Sequence, residues 1–449
     1  VLKWSANQKE KTMLALIRNV RRIIASVHSW QFHKGILWMI LSISILSFHP
    51  LLLAQTSTYK LMRTIKFAVP DPLVSPYLCA VELSGNLWVA SSTVNDTGVL
   101  NALFEAAPAN TDQDTSPEFK AQFLQLCDLA VAKLKDEKSK DPFFIDSYCV
   151  RSLCVAYDIT RNKKYLDACC SWSEKMVNLQ KKMIPAGAYY MNYCRKPGEA
   201  KGDWYVADCS SIAMAVLTTA VRCHDAEQQK RFLNSVQRFA SLVIENYIRH
   251  SGGVTDGLWL EFDGEWWCSS GLFGSLLFML YKNTGDERYL NVGLGVVDWL
   301  NNLDLSKTKP LPLTEQGPSM PMYILETYSA GWPYFSKDST RKEAAFKKIS
   351  WCLNWITDQH QQPLSQRQQQ FTEWWRAKYG GLPFHQYIFS RYFARQGLMI
   401  AADREMQQLA KLAFANEHAF TQLEAFMMMS YAERLHPGAI YSDTCDHAH

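Results

Sequence analysis

From residue 117 onward the sequence alternates two kinds of helical segment, and this alternation limits the fold more than any other feature. Segments at about 117–136, 163–180, 228–248, 287–302, 340–358 and 402–417 mix charged residues with apolar ones at three- and four-residue spacing. Phe232, Val236, Phe239 and Val243 form one such stripe. Each segment is followed by a more apolar helix, beginning near Asp146, Asp208, Trp267, Met322, His385 and Phe420. The stretches from Ser211 to Leu217 and from Gly274 to Leu280 are apolar or small nearly all round, which predicts burial on every side.

An outer amphipathic helix followed by an inner apolar one, repeated six times, predicts an all-α chain folded as an (α/α)6 toroid over residues 117–437. The inner helices recur about every 60 residues, whereas helical solenoid repeats run about 33–47. The connections are unequal. Inner-to-outer turns such as Asn283–Asp286 are short, and outer-to-inner connections at 181–207, 249–266, 303–321 and 359–384 are long. Long loops inside a compact domain usually carry function. The functional face is therefore expected on the rim where the inner helices begin.

The flanks read differently. Arg18, Arg21, Arg22 and Lys34 precede an apolar run from Ile36 to Ala54, the pattern of a secretory signal peptide. The run is also close to the length of a membrane anchor. Residues 1–54 are expected to export the protein to the periplasm, cell surface or medium, cleaved or as a tether. Residues 55–116 form an N-terminal extension, irregular except for a short strand at Asn86–Ala90 that packs on the main domain. Residues 438–449 form a C-terminal tail.

Net charge is +4 with 20% charged residues, so nothing points to a nucleic-acid partner. The 12 cysteines make no CxxC pair and no zinc spacing. They are read mostly as buried thiols, and any bridges cannot be assigned from sequence. No metal and no cofactor is expected.

Four patches precede inner helices. The first is Phe143–Asp146, and the second is Tyr189–Tyr190 with Gly202–Asp208. The third is Gly252–Trp267, and the fourth runs from Glu373 through Gly380–Gly381 to His385. They combine carboxylates with Trp and Tyr. Aromatic faces stack on the apolar side of a sugar ring while polar groups fix its orientation. Cleaving a glycosidic bond needs one carboxyl as acid and a second carboxylate as base or nucleophile. On that chemistry Asp208, Asp146 and Asp203 are the catalytic candidates. Trp204, Tyr205, Asp256, Trp259, Glu261, Asp263, Trp266, Trp267, Trp375, His385 and Arg195 are the substrate-binding candidates.

Several of these have ordinary structural duties open to them. Asp146 and Asp208 can be N-caps, and Asp256 and Asp263 can form turns before Gly. Trp266 and Trp267 can be core anchors, and His385 can be structural.

The helix pattern over about 117–437, with Phe144–Asp146, Ala207–Asp208 and Thr284–Leu290, resembles the unsaturated glucuronyl hydrolases and rhamnogalacturonyl hydrolases. That resemblance implies an Asp at an inner-helix start acting as general acid/base in hydrating the vinyl ether of a 4,5-unsaturated uronic acid. Asp208 matches it best and Asp146 second. Gly257–Asp263 and Glu265–Trp267 have no counterpart in that pattern. Because one fold hosts several reactions, a polysaccharide lyase, a sugar epimerase and a non-catalytic glycan-binding protein stand as the alternatives to a glycoside hydrolase acting on an oligosaccharide or polysaccharide.

Overall fold

The structure, a computed structural model, describes residues 59–66, 77–83, 86–92, 117–136, 142–192, 204–257, 264–304, 320–361 and 399–400, together with single helical positions between 425 and 435. Residues 1–54, expected to be an export segment, and the expected C-terminal tail lie outside the described residues. No helix among the described residues is long and apolar enough to cross a membrane.

Nine helices are described: α1 (Pro117–Lys135), α2 (Phe143–Thr160), α3 (Lys163–Gln180), α4 (Val206–Ala220), α5 (Ala226–Asn246), α6 (Trp267–Thr284), α7 (Glu287–Asn302), α8 (Met320–Phe335) and α9 (Ser339–Gln361). They alternate between two layers, as the sequence pattern predicts. The even-numbered helices pack side by side, α2 on α4, α4 on α6 and α6 on α8, and form the inner layer. The odd-numbered helices lie outside them.

The inner layer is buried because its helices have no polar face. Ile212 to Leu217 and Leu276 to Leu280 are all at most 2% exposed. Outer helices bury one stripe only. On α5 that stripe is Phe232, Val236, Phe239, Ala240 and Val243, and each large side chain contributes roughly 1.5–3 kcal/mol. Close approach of inner helices depends on small residues. At Gly271 of α6 an added Cβ would lie 2.7 Å from the backbone oxygen of Tyr323 on α8, where Thr327 Oγ1 also donates to the Gly271 carbonyl.

The buried helical positions Ala425, Met428, Met429, Tyr431, Ala432 and Leu435 fall at helical spacing within the expected last inner helix. Tyr431 stacks on Phe123 of α1, with centroids 6.4 Å apart, and its hydroxyl donates to Gln122 Oε1 at 2.8 Å. The end of the helical repeat thus meets its beginning, which closes a ring and excludes an open solenoid. The chain is an all-α toroid of the (α/α)6 type. The segments expected to form the fifth inner and sixth outer helices lie outside the described residues.

Opposite inner helices also meet. Arg151 Nη1 of α2 donates to Glu326 Oε1 of α8 at 3.2 Å, and both side chains are fully buried.

The N-terminal extension is more regular than its sequence suggests. It forms an antiparallel meander of β1 (Tyr59–Lys66), β2 (Tyr77–Leu83) and β3 (Asn86–Ser92), with β4 (Met399–Ile400) added in parallel to β3. The expected strand at Asn86–Ala90 is present but is not alone, because each short strand needs a hydrogen-bonded neighbour to hold it. It packs on the toroid as expected. Leu87 is 1% exposed, and its carbonyl accepts from Ser329 Oγ of α8 at 3.1 Å.

Candidate functional site

The two rims are built differently. The turns leading into outer helices carry side-chain caps: Asn162 accepts from Lys164 N, Asp225 from Glu227 N and Gln228 N, and Asp286 from Arg288 N. The inner helices α2, α4 and α6 instead begin after Pro142, Tyr205 and Trp266, with no side-chain cap. Asp146 and Asp208 are therefore not N-caps. The helices start earlier than the sequence pattern suggests, which places both residues inside the first turn. There the helix macrodipole favours a negative charge.

A continuous set of contacts joins the inner-helix starts. Phe143 N donates to Met191 O at 3.0 Å, and the Phe143 ring meets Tyr190 edge-on at 6.0 Å. Tyr205 N lies 3.3 Å from Met191 Sδ. Tyr205 and Gly257 form an isolated bridge, as do Thr255 and Glu265. Trp266 and Trp267 meet edge-on at 5.7 Å, and Trp267 packs against Tyr323 of α8 at 6.0 Å. The described residues of the first three patches thus share one rim. One turn inside it, Tyr148 Oη and Ser211 Oγ lie 3.4 Å apart. That contact ties α2 to α4 close behind Asp146 and Asp208 in the chain.

Asp208, Asp146 and Asp256 have different surroundings. Asp208 is half-buried. Asp146 is buried and paired with Lys133 Nζ of α1 at 3.0 Å, while Trp172 Nε1 of α3 donates to its other oxygen at 3.4 Å. A cation and a donor on separate oxygens suit an ionised carboxylate. Asp256 is fully buried. Its Oδ1 accepts from Ser269 Oγ at 2.7 Å, and Oδ2 has no hydrogen-bond partner among the described residues. Burial pushes the Asp256 carboxyl well above the usual carboxylate range. The nearby Asp208 adds to this, and the Ser269 hydrogen bond opposes it.

Trp204 is 1% exposed and packs edge-on against Tyr247 at 5.1 Å. Its Nε1 also lacks a hydrogen-bond partner among the described residues. Gly257 sits against this ring at φ +83°, where an added Cβ would come within 2.7 Å of it. Trp266 and Trp267 are 9% and 8% exposed. Both are therefore largely core anchors with an edge at the rim.

Asp203, Arg195, Trp259, Glu261, Asp263, Trp375 and His385 lie outside the described residues. Sequence reasoning did not pick out Lys133, Trp172 or Tyr323. None lies in a recognisable pattern with its partner, since each contact is made between different helices or between a helix and a loop. Glu265 stood in the third patch without a role. It accepts from Trp299 Nε1 at 3.0 Å and so braces the loop against α7. Among the described residues no group of His, Cys, Asp and Glu is arranged to hold a metal ion.

No protein-family model matches the sequence, and no curated protein matches it. Among solved structures the chain is similar to a family 76 glycoside hydrolase from a bovine Bacteroides thetaiotaomicron strain, at 11% identity and a TM-score of 0.43, covering 79% of this chain and 83% of that one. It is also similar to a glycosyl hydrolase of family 88 from Bacteroides vulgatus, at 18% identity and a TM-score of 0.30, covering 49% of this chain and 75% of that one. The toroid assignment rests on the chain's own helix packing.

Proposed function

We propose that the protein is a glycoside hydrolase acting on an oligosaccharide, with Asp208 as its acid/base. The observation that carries this reading is that two carboxyls in unlike environments come to the head of α4, Asp208 in its first turn and Asp256 on the loop whose carbonyl accepts from Val206 N. Asp256 is sealed from solvent beside the half-buried Asp208. Two neighbouring carboxyls resist ionising together, and the more buried one keeps the proton. Asp256 then stays neutral, while Asp208, nearer to solvent, can exchange a proton with a substrate.

Asp146 has a separate role in this account. Its Lys133 partner favours the ionised form, which suits orienting a substrate hydroxyl or an attacking water. Tyr205, at the Asp208 end of α4, and the rim edges of Trp266 and Trp267 supply apolar surface for a sugar face.

The substrate class to test first is an oligosaccharide ending in a 4,5-unsaturated uronic acid. With such a substrate Asp208, reprotonated from solvent, would give its proton to one vinyl carbon while water adds to the other, and the proton lost by that water would return to Asp208. The test is incubation of the purified protein, from Gln55 onward, with saturated and lyase-generated unsaturated oligosaccharides, following products by mass. Release of the terminal unit supports the reading. Products carrying a new double bond would move it to a lyase, and saturable binding without any product would move it to a glycan-binding protein. Export belongs to the same proposal, and its basis is the basic and apolar pattern of residues 18–54. Cell fractionation finding the protein solely in the cytosol would contradict it.

A further inference from the structure

The turn joining α4 to α5, residues 221–225, is held by successive side chains. Arg222 Nε and Nη2 donate to Asp158 Oδ2 at 2.9 and 2.5 Å, and Nη1 donates to the Thr218 carbonyl at 3.0 Å. His224 Nε2 lies 2.8 Å from Tyr157 Oη, and Asp225 caps α5. Between these anchors Cys223 Sγ lies 3.5 Å from Cys170 Sγ of α3. The sulfurs are brought together by a backbone fixed on both sides of Cys223.

These two cysteines differ from the other described ones. Cys127, Cys149, Cys154, Cys169, Cys209, Cys268 and Cys352 are buried, whereas Cys170 and Cys223 are only half-buried. The neighbouring thiols are also engaged elsewhere. Cys169 Sγ donates to the Val150 carbonyl at 3.5 Å, and Cys154 Sγ lies 3.8 Å from Thr219 Oγ1. Burial shields those thiols from solvent, while a partly exposed pair is open to an oxidant.

We propose that Cys170 and Cys223 are a disulfide site that cross-links outer helix α3 to the α4–α5 turn. A disulfide needs its sulfurs about 2.0 Å apart, so the pair must close by about 1.5 Å. Cys223 lies in a turn rather than a helix, so rotating its side chain does not disturb a helical ladder.

With a low-molecular-weight disulfide such as oxidised glutathione as oxidant, the reaction balances in two exchanges. The Cys170 thiolate attacks the glutathione disulfide, forms a mixed disulfide and expels one glutathione thiolate. The Cys223 thiolate then attacks Cys170 Sγ and expels the second. The two protein thiol protons end on two glutathione thiols. The contact with Cys170, and then burial, hold the Cys223 thiol above its usual range. The cross-link would lie on the rim opposite the carboxyls, so it bears on stability and not on the proposed chemistry.

The test treats the folded protein with oxidised glutathione, blocks remaining thiols with iodoacetamide, and digests without reductant for peptide mass spectrometry. The expected result is a peptide pair joined through Cys170 and Cys223, with Tm rising by several degrees and falling back on reduction, because the cross-link restricts the unfolded chain. Cys170→Ser and Cys223→Ser should each abolish both the linked pair and the Tm rise. Full alkylation of both cysteines after oxidation would overturn the proposal. So would a bridge from either one to Cys169 or Cys154, or linkage only after denaturation.

Discussion

Ser269 Oγ donates to Asp256 Oδ1 at 2.7 Å in a position where neither residue is exposed to solvent. The bond joins the first turn of α6 to the loop that abuts the start of α4, where Val206 N donates to the Asp256 carbonyl at 3.4 Å. A buried carboxyl in this place, with one oxygen accepting from a hydroxyl and no cation among its described contacts, is biased towards the neutral acid.

The first prediction follows from that proton. The folded-state pKa of Asp256 is raised well above 3.8, chiefly by burial, so above the unfolded value the folded chain binds the proton more tightly than the unfolded chain. The stability this group supplies is complete below the unfolded pKa and is lost as pH rises through the folded pKa, at up to about 1.4 kcal/mol per pH unit. Asp256→Asn should remove that slope and be at least as stable as the wild type at neutral pH. Urea unfolding of both proteins from about pH 4 to about pH 8 checks this. Parallel slopes would show that Asp256 is ionised in the folded state.

The second concerns the ring itself. Arg151 and Glu326 face each other from α2 and α8 with both side chains fully buried. Glu326→Ala leaves a buried guanidinium without that partner and should cost about 3–5 kcal/mol. The double variant Arg151→Met with Glu326→Leu should lose far less than the single one. Denaturant unfolding of both variants measures the difference, and a single variant within about 1 kcal/mol of wild type would contradict it.

The third tests the packing behind the site. Gly257→Ala places a methyl group 2.7 Å from the Trp204 ring at a backbone φ of +83°. A loss of about 1–3 kcal/mol is expected, with a change in tryptophan fluorescence as the ring moves. An unchanged Tm and spectrum would show that the loop does not press on Trp204.

The helices were the legible part of the sequence. The stripe Phe232, Val236, Phe239 and Val243 and the apolar run Ile212–Leu217 each prescribe a layer, because burial at 3.6-residue spacing leaves few other arrangements. Helix starts were less so. Asp146 and Asp208 look like caps because Asp is a favoured cap residue. Packing by Phe143 and Val206 extends each helix backwards past them. The strands of the N-terminal meander were also obscured, since only pairing makes short strands such as Tyr77–Leu83 worth forming.

Of the candidate site, the rim and several of its residues could be read from loop lengths and composition, but their environments could not. Asp256 before Gly257 looks like an ordinary turn. Its raised pKa comes from burial and from Asp208, which surround it only in the fold. Lys133 beside Asp146 is the same kind of case, a contact made when α1 packs on α2.

The central claim is that Asp208 exchanges the proton in glycosidic cleavage. The measurement that tests it most directly is product mass from the oligosaccharide panel for the wild type, Asp208→Asn and Asp256→Asn, with each variant's fold checked by circular dichroism. The account predicts turnover by the wild type and a loss of about 10²–10⁴-fold in Asp208→Asn. It predicts a much smaller loss in Asp256→Asn, whose amide stands in for a neutral acid. Full turnover by a folded Asp208→Asn would contradict it.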